Sequence, residues 1–403
     1  MNHKLRLAAL VSGLAILATA CTGGGGATNA PSGGGGGTGL SGNLTVWHSY
    51  GSGAGTEAQA LKTVTDKIQA ANTGLKLTIL DVKFDDLFKK YELESASGGG
   101  PDLFIAPNDS LGKEARAGLF LDVTSKLEGK LGNDSPVSVD GSKVGGKLYM
   151  VPESLKAVAM FYDKSAIATP PAKTDDILNG VKSGTIKLGI NQGSYHNFGW
   201  WAAFGGKLMD DTGKCVADQG GVADSYKFLA DLKAAGAQFY KKYDDFATAF
   251  KTGKINLIID GPWATGGYKE ALGEKLAVAP MPAGPKGPSQ PLTGVDGWYI
   301  NTSSKNQDLA VAFALEMVKA ENEQVFVDKA GHIPADTTIK ITDPITQKFA
   351  EAVKTGFPRP QVAELDNFWG NFDNALNSVI DKGTDPTAAT AAACTAMNTA
   401  NKK

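Results

Sequence analysis

The stretch AVAPMPAGPKGP (277–288) decides the fold. Prolines that fix φ alternate with glycines that free the chain, so the segment reads as an extended crossing and not as a helix or a buried strand. Before it lie two runs of alternating strands and helices. The first holds NLTVW (43–47), a helix with Leu61, Val64 and Ile68 on one face, LKLTILDV (75–82), a helix near Leu87–Ser95, and GGGPDLFIA (98–106). The second holds TIKLGIN (185–191), helices at 199–204 and 222–235 (Val222, Tyr226 and Leu229 on one face, Gly236 as stop signal), and KINLIID (254–260). Such alternation predicts parallel α/β sheets. After the crossing come GWYIN (297–301), a helix over Leu309–Val318, and a mostly helical tail from Thr346 broken by GFPRPQ (356–361). That is too little sequence for a third sheet domain. The spacing therefore predicts two α/β lobes, each assembled from non-contiguous segments, with no short internal repeat.

The 403 residues suffice for a sizeable core, and the 42% apolar content is ordinary for a globular chain. A formal net charge of −2 leaves no electrostatic footprint for nucleic acid. The N-terminal MNHKLRLAALVSGLAILATAC places Lys4 and Arg6 before a short apolar run and small residues, the pattern of a secretory signal over 1–21. Its end resembles a bacterial lipoprotein lipobox, which implies lipidation at Cys21, although Ala18 stands where that motif usually has leucine; the alternative is ordinary cleavage near Ala20. TGGGGATNAPSGGGGGTGLSG (22–42) reads as a flexible linker with a typical span of ~25 Å. The expected location is the outer face of the cell membrane. In an exported chain, Cys215 and Cys394 are either a disulfide or two free thiols.

No metal constellation, nucleophile elbow or phosphate loop stands out. His3, His48, His196 and His332 are scattered, and no cofactor is expected. An enzyme of the glycosidase type needs only two facing carboxylates, and no pair is singled out. Tryptophan carries the signal. Trp263 follows the turn in IIDGPW (258–263), Trp298 follows GVDG, and Trp369 sits in LDNFWGNF. An indole at a strand end beside polar groups suits a flat, amphipathic ligand such as a sugar ring, whose hydroxyl rim then needs hydrogen-bonding side chains. Trp47, Trp200 and Trp201 read instead as packing residues.

Four segments carry a resemblance: GGGPDLFIAPNDSLGKEARAGLFLDV (98–123), GGKLYMVPESLKAVAMFYDKSAI (145–167), AFKTGKINLIIDGPWA (249–264) and SSKNQDLAVAFALEMV (303–318). From about residue 43 to 395 the chain resembles the extracellular solute-binding proteins of ABC sugar importers, especially the maltose/maltodextrin binders. The resemblance implies a two-lobed, periplasmic-binding-protein-like α/β fold with hinge strands. Lobe 1 would comprise 43–152 plus 284–340, and lobe 2 would comprise 156–277 plus 345–403. It implies a monomer that captures an oligosaccharide and presents it to ABC permease subunits.

Residue by residue, the resemblance implies ligand roles for Asp109 (otherwise a helix N-cap), the stacking ring Tyr195, and the platforms Trp263 and Trp369. Trp298 resembles a tryptophan of Gram-positive relatives. His196 is a second contact or a solvated loop histidine. Glu153, after the hinge Pro152, reaches the cleft or is a plain hinge charge, and Tyr50 is a candidate on the opposite wall. The family pattern is absent at Ala106, Ser110, Lys156 and Gly51-Ser52, which leaves the sugar open. The competing readings are a secreted carbohydrate-active enzyme, a binder of another sugar, and a structural adhesin.

Overall fold

The computed structural model describes residues 39–51 and 55–403. The expected signal, Cys21, Ser52 and the linker up to residue 38 lie outside the described residues. The first strand begins at Gly42, inside the expected linker, and Leu40 N–H donates to Asn72 Oδ1 at 2.7 Å.

Two sheets organise the chain. The first has the order 333–334, 150–156, 292–300, 103–107, 42–48, 75–81, with Phe357–Pro358 paired to the start of Leu292–Ile300. Gly42–His48 runs parallel to both of its neighbours, and Leu292–Ile300 runs antiparallel between Leu103–Pro107 and Met150–Lys156. The second sheet has the order 276–279, 159–163, 257–260, 188–191, 238–240.

The link between them follows from the sequence. Met150–Lys156 lies in the first sheet, and only Ala157 and Val158 separate it from Ala159–Asp163 in the second. Leu276–Ala279 returns from the second sheet, and the Pro/Gly-rich segment carries the chain to Leu292–Ile300 in the first. The first connection is nearly continuous strand, the second runs through residues 280–291, and a third follows Phe357–Pro358 on the way to Trp369–Lys382; short links of this kind are the geometry of a hinge.

The GWYIN strand is longer than its sequence suggests. It spans Leu292–Ile300, and every residue in it is buried. A bulge interrupts its pairing: Asp296 faces Ser154 and Gly297 faces Pro152, which leaves Glu153 as the extra residue. Such a bulge re-aims the side chain it carries. At Gly297 a Cβ would lie 2.6 Å from the Val151 carbonyl oxygen, so only glycine fits this pairing.

The core falls into three apolar clusters. One lies between the first sheet and the helices Thr56–Ala71 and Gln307–Met317. Another, in the second lobe, holds Trp200, Trp201, Phe368 and Phe372. The third is shared, and the helix Pro344–Thr355 places Phe349 5.0 Å from Phe161 within it. That helix starts at Pro344, with Asp343 accepting from Thr346 N–H at 2.8 Å, an ordinary N-cap. Cys215 and Cys394 form a disulfide that ties the C-terminal helix Pro386–Asn401 to the second lobe across 179 residues of sequence.

Candidate functional site

Three partly exposed rings come from the second lobe. Strand Leu188–Asn191 ends in a turn in which Asn191 Oδ1 accepts from Gly193 N–H at 3.0 Å, and Asn197 Nδ2 donates to the carbonyls of Asn191 and Gly193. This sets Tyr195 on the helical turn Ser194–Asn197. Trp263 follows Pro262, the first residue of a 3-10 turn, and its ring folds back over Gly261, where a Cβ would sit 1.9 Å from the indole. The glycine of IIDGPW therefore makes room for the indole. Tyr195 and Trp263 have centroids 6.0 Å apart, while Trp369 opens the helix Trp369–Lys382 and meets Phe368 edge-on at 4.7 Å.

Two cations lie over these rings, each bonded to a carboxylate of the first lobe. The Arg359 guanidinium is 5.4 Å from the ring centroids of both Tyr195 and Trp369. It donates to Asp109 and, at 3.0 Å, to Asn108 Oδ1. Lys156 Nζ is 5.2 Å from the Trp263 centroid and pairs with Asp296. A cation over an aromatic face contributes roughly 0.5–2 kcal/mol, rising with desolvation. Burial pulls the Arg359 guanidinium down to about 9. It pushes the Asp296 carboxyl up, against the opposing pull of Lys156.

Beside them sits a buried ionic group. The bulge directs Glu153 onto His332, whose Nδ1 is 2.9 and 3.1 Å from the two carboxylate oxygens, while His332 Nε2 is 3.0 Å from Glu57 Oε1. Burial opposes a charge on this imidazole, but Glu153 and Glu57 raise it to about 10. Tyr50 packs on His332 at 6.2 Å. Four polar atoms in this region are buried without a hydrogen-bond partner: the hydroxyls of Tyr50 and Tyr195, Asp296 Oδ1 and Arg359 Nε. Burial raises both tyrosines, with the charges of Glu153, Glu57 and Asp296 adding to it at Tyr50 and those of Asp296 and Asp260 at Tyr195. An unpaired buried polar atom costs about 1–3 kcal/mol, so the group is poised for hydroxyls.

The expected residues divide as follows. Asp109, Tyr195, Trp263 and Trp369 are brought together through Arg359 and the Tyr195–Trp263 contact, while Tyr50 packs on His332. Asp109 is not a cap: Ser110 holds the N-cap position, without a side-chain bond. His196 is no solvated loop residue, being 12% exposed with Nε2 3.3 Å from Asp260 Oδ1. Glu153 is no surface hinge charge, because it is 1% exposed and both its oxygens face His332.

Trp298 is a correction. Its ring is 0% exposed and meets Phe313 edge-on at 6.1 Å inside the first lobe. Asp296 faces Pro107 at the C-terminal edge of the parallel strands, whereas Trp298 faces Ile105, two residues deeper and under a helix. The strand end at GVDGW thus presents the aspartate and buries the indole. Sequence reasoning passed over Asp296, Arg359, His332 and the partners of Lys156. The available signal was an acid inside an apolar strand and an arginine flanked by prolines in a helix break. Among the described residues, no group of three or more His, Cys, Asp or Glu is arranged to hold a metal.

Two α/β lobes, the chain links between them and a group of second-lobe rings set against first-lobe carboxylates define the class of two-lobed ligand receptors. Residues 63–355 match the family described as bacterial extracellular solute-binding protein, and the chain belongs to that family. A maltotriose-binding protein of Pyrococcus abyssi is 26% identical over 364 residues, covering 84% of this chain and 78% of that protein. A maltooligosaccharide ABC transporter solute-binding lipoprotein of Streptococcus pneumoniae is 25% identical, with 78% and 79% covered. Among solved structures, a Thermus thermophilus maltotriose binding protein bound with maltotriose superposes with a TM-score of 0.82 at 27% identity, covering 89% of this chain and all of that one. The acarbose-binding GacH receptor of Streptomyces glaucescens, at 22% identity and a TM-score of 0.83, supports the fold alone.

Proposed function

We propose that the protein captures a maltodextrin-type oligosaccharide between its lobes and delivers it to the permease of an ABC importer. One observation carries this reading: three ring faces converge with buried, unpartnered hydroxyl and carboxylate atoms in one interlobe space. A pyranose needs both, an apolar surface for its C–H face and polar atoms for its rim. The maltotriose and maltooligosaccharide relatives support the choice of α-glucan.

In this reading Tyr195, Trp263 and Trp369 stack on sugar rings, and Asp109, Asp296, Tyr50 and Arg359 bond hydroxyls. The lobes comprise 43–152 plus 284–340 and 156–277 plus 345–403, with Lys156 and Phe357–Pro358 paired into the first sheet. The lobes meet where Thr56 packs on Gly266 and where Arg116 bonds Asp366 at 2.6 Å. Ligand favours this closed form only by binding it better than an open one. The chain works as a monomer outside the membrane, held by a lipid on Cys21, and leaves the sugar intact. Incubation with maltotriose and chromatography of the products tests this: recovery of unaltered trisaccharide is expected, and release of glucose or maltose rejects the receptor reading in favour of an enzyme.

A further inference from the structure

The turn that presents Trp263 also contains a buried carboxylate with an unusual number of partners. Asp260 ends the strand Leu257–Asp260 and is 0% exposed. Its Oδ2 accepts from the Tyr268 hydroxyl at 2.6 Å and from the Tyr243 hydroxyl at 3.0 Å. Its Oδ1 accepts from Gly261 N–H at 2.8 Å and faces His196 Nε2 at 3.3 Å. The Tyr243 hydroxyl also works in the other direction, accepting the indole N–H of Trp263 at 2.8 Å. A phenol that donates to a carboxylate is polarised and becomes a better acceptor, so the two bonds strengthen each other. Burial, and behind it the Asp260 charge, pushes both phenols well above their ordinary range, so each stays a donor.

The indole is therefore held on two edges. Its N–H is tied to Tyr243, and its benzo edge lies against Gly261, the nearest approaches of a Cβ there being to Cζ3 and Cη2. A ring fixed before the ligand arrives loses no rotational freedom on binding, and a binding group needs this kind of support to be effective.

We propose that Asp260 is a positioning residue of the ligand site: through the Tyr243 hydroxyl it sets the tilt of the Trp263 indole and engages its N–H, so that the ring meets ligand by its face alone. The proposal rests on the reading of Trp263 as a sugar platform. It separates the roles of two similar phenols. Tyr243 links Asp260 to the indole, whereas Tyr268 bonds Asp260 without touching the indole's N–H.

The test uses the full chain with Tyr243→Phe, Tyr268→Phe and Asp260→Asn. The Trp263 indole N–H resonance is assigned by its disappearance in Trp263→Phe, and maltotriose is titrated by calorimetry. Tyr243→Phe is expected to move that resonance upfield in the ligand-free protein and to weaken maltotriose about tenfold, the effect of a mis-set binding group. Tyr268→Phe, despite a comparable loss of melting temperature, is expected to leave both readouts in place. Asp260→Asn, if it folds, is expected to follow Tyr243→Phe. An indole resonance unmoved by Tyr243→Phe overturns the relay. A moved resonance with unchanged affinity overturns the positioning role, as does equal weakening by Tyr268→Phe. A wild-type chain that binds no maltotriose overturns the functional reading and the ligand half of this proposal, while the ligand-free resonance still decides the relay.

Discussion

Arg359 is bonded to Asp109 while its guanidinium lies over both Tyr195 and Trp369. One side chain thus covers two ring faces of the second lobe and neutralises a carboxylate of the first. Lys156 repeats the arrangement on Trp263 with Asp296. These two cations tie second-lobe rings to first-lobe carboxylates, and on the proposed reading a bound sugar shares or displaces them.

Arg359→Ala is therefore expected to loosen the ligand-free protein. Breaking a fully buried ion pair costs about 3–5 kcal/mol, and here the cost falls to roughly 1–3 kcal/mol because part of Asp109 meets solvent. Small-angle scattering is expected to show a larger radius of gyration than wild type, with a melting temperature lower by a few degrees. Unchanged scattering contradicts the role of Arg359 as a bridge between lobes.

Trp263→Ala and Trp369→Ala are each expected to weaken maltotriose binding at least about tenfold, or ~1.4 kcal/mol. Trp298→Phe is expected to leave affinity within about twofold and to lower stability instead, because it leaves a cavity among buried residues. Calorimetric titration of the three variants checks this. Loss of binding in Trp298→Phe with an unchanged melting temperature would reverse the assignment.

Stability should depend on the buried His332–Glu153 pair in a defined window. The folded imidazole is raised to about 10 from an ordinary 6.5, so its contribution is complete below about pH 6.5 and is lost as pH rises through about 10. His332 lowers the Glu153 pKa against burial, so that contribution is present above the unfolded glutamate value and is lost in acid. Wild-type melting temperature is thus expected to fall more between pH 7 and 10 than that of His332→Gln, which starts lower at pH 7. Parallel curves across that range would contradict a charged His332.

These predictions lean unevenly on the sequence. Strand and helix alternation located four strands of the first sheet and two of the second, because period and turn residues are local signals; Met150–Lys156 and Ala159–Asp163, which pair antiparallel with distant segments, were not read as strands. The crossing at 277–288 disclosed the two lobes for the same reason. IIDGPW yielded the indole and its turn, but the long-range partners of its aspartate, Tyr243 and Tyr268, lie outside any local pattern. Arg359 was hidden in what read as a break between helices, since Phe357–Pro358 becomes a strand only by pairing with Leu292 and Thr293. Trp298 was misread because a tryptophan after GVDG resembles Trp263 after DGP. Depth within the sheet separates the two, and the bulge that sets the register at Glu153 is a tertiary feature.

Reduction of the Cys215–Cys394 bridge is expected to lower the melting temperature clearly. Closing a loop of 179 residues corresponds to about 5 kcal/mol in the chain-entropy model. Since the C-terminal helix is also tied to the segment before Trp369 by Asn401, which bonds Asn367 at 2.7 Å and the Glu364 carbonyl at 2.9 Å, Cys394→Ala is expected to bind maltotriose as wild type at 20 °C. Equal melting temperatures with and without reductant would contradict the bridge as a stabiliser.

The central claim is that the partly exposed rings and unpartnered polar atoms between the lobes hold an α-glucan. Calorimetric titration of the wild-type chain with maltotriose tests it most directly. The account predicts saturable one-site binding in the micromolar range, roughly −8 kcal/mol, with the trisaccharide recovered intact. Absence of saturable heat up to millimolar maltotriose and longer maltodextrins would contradict it.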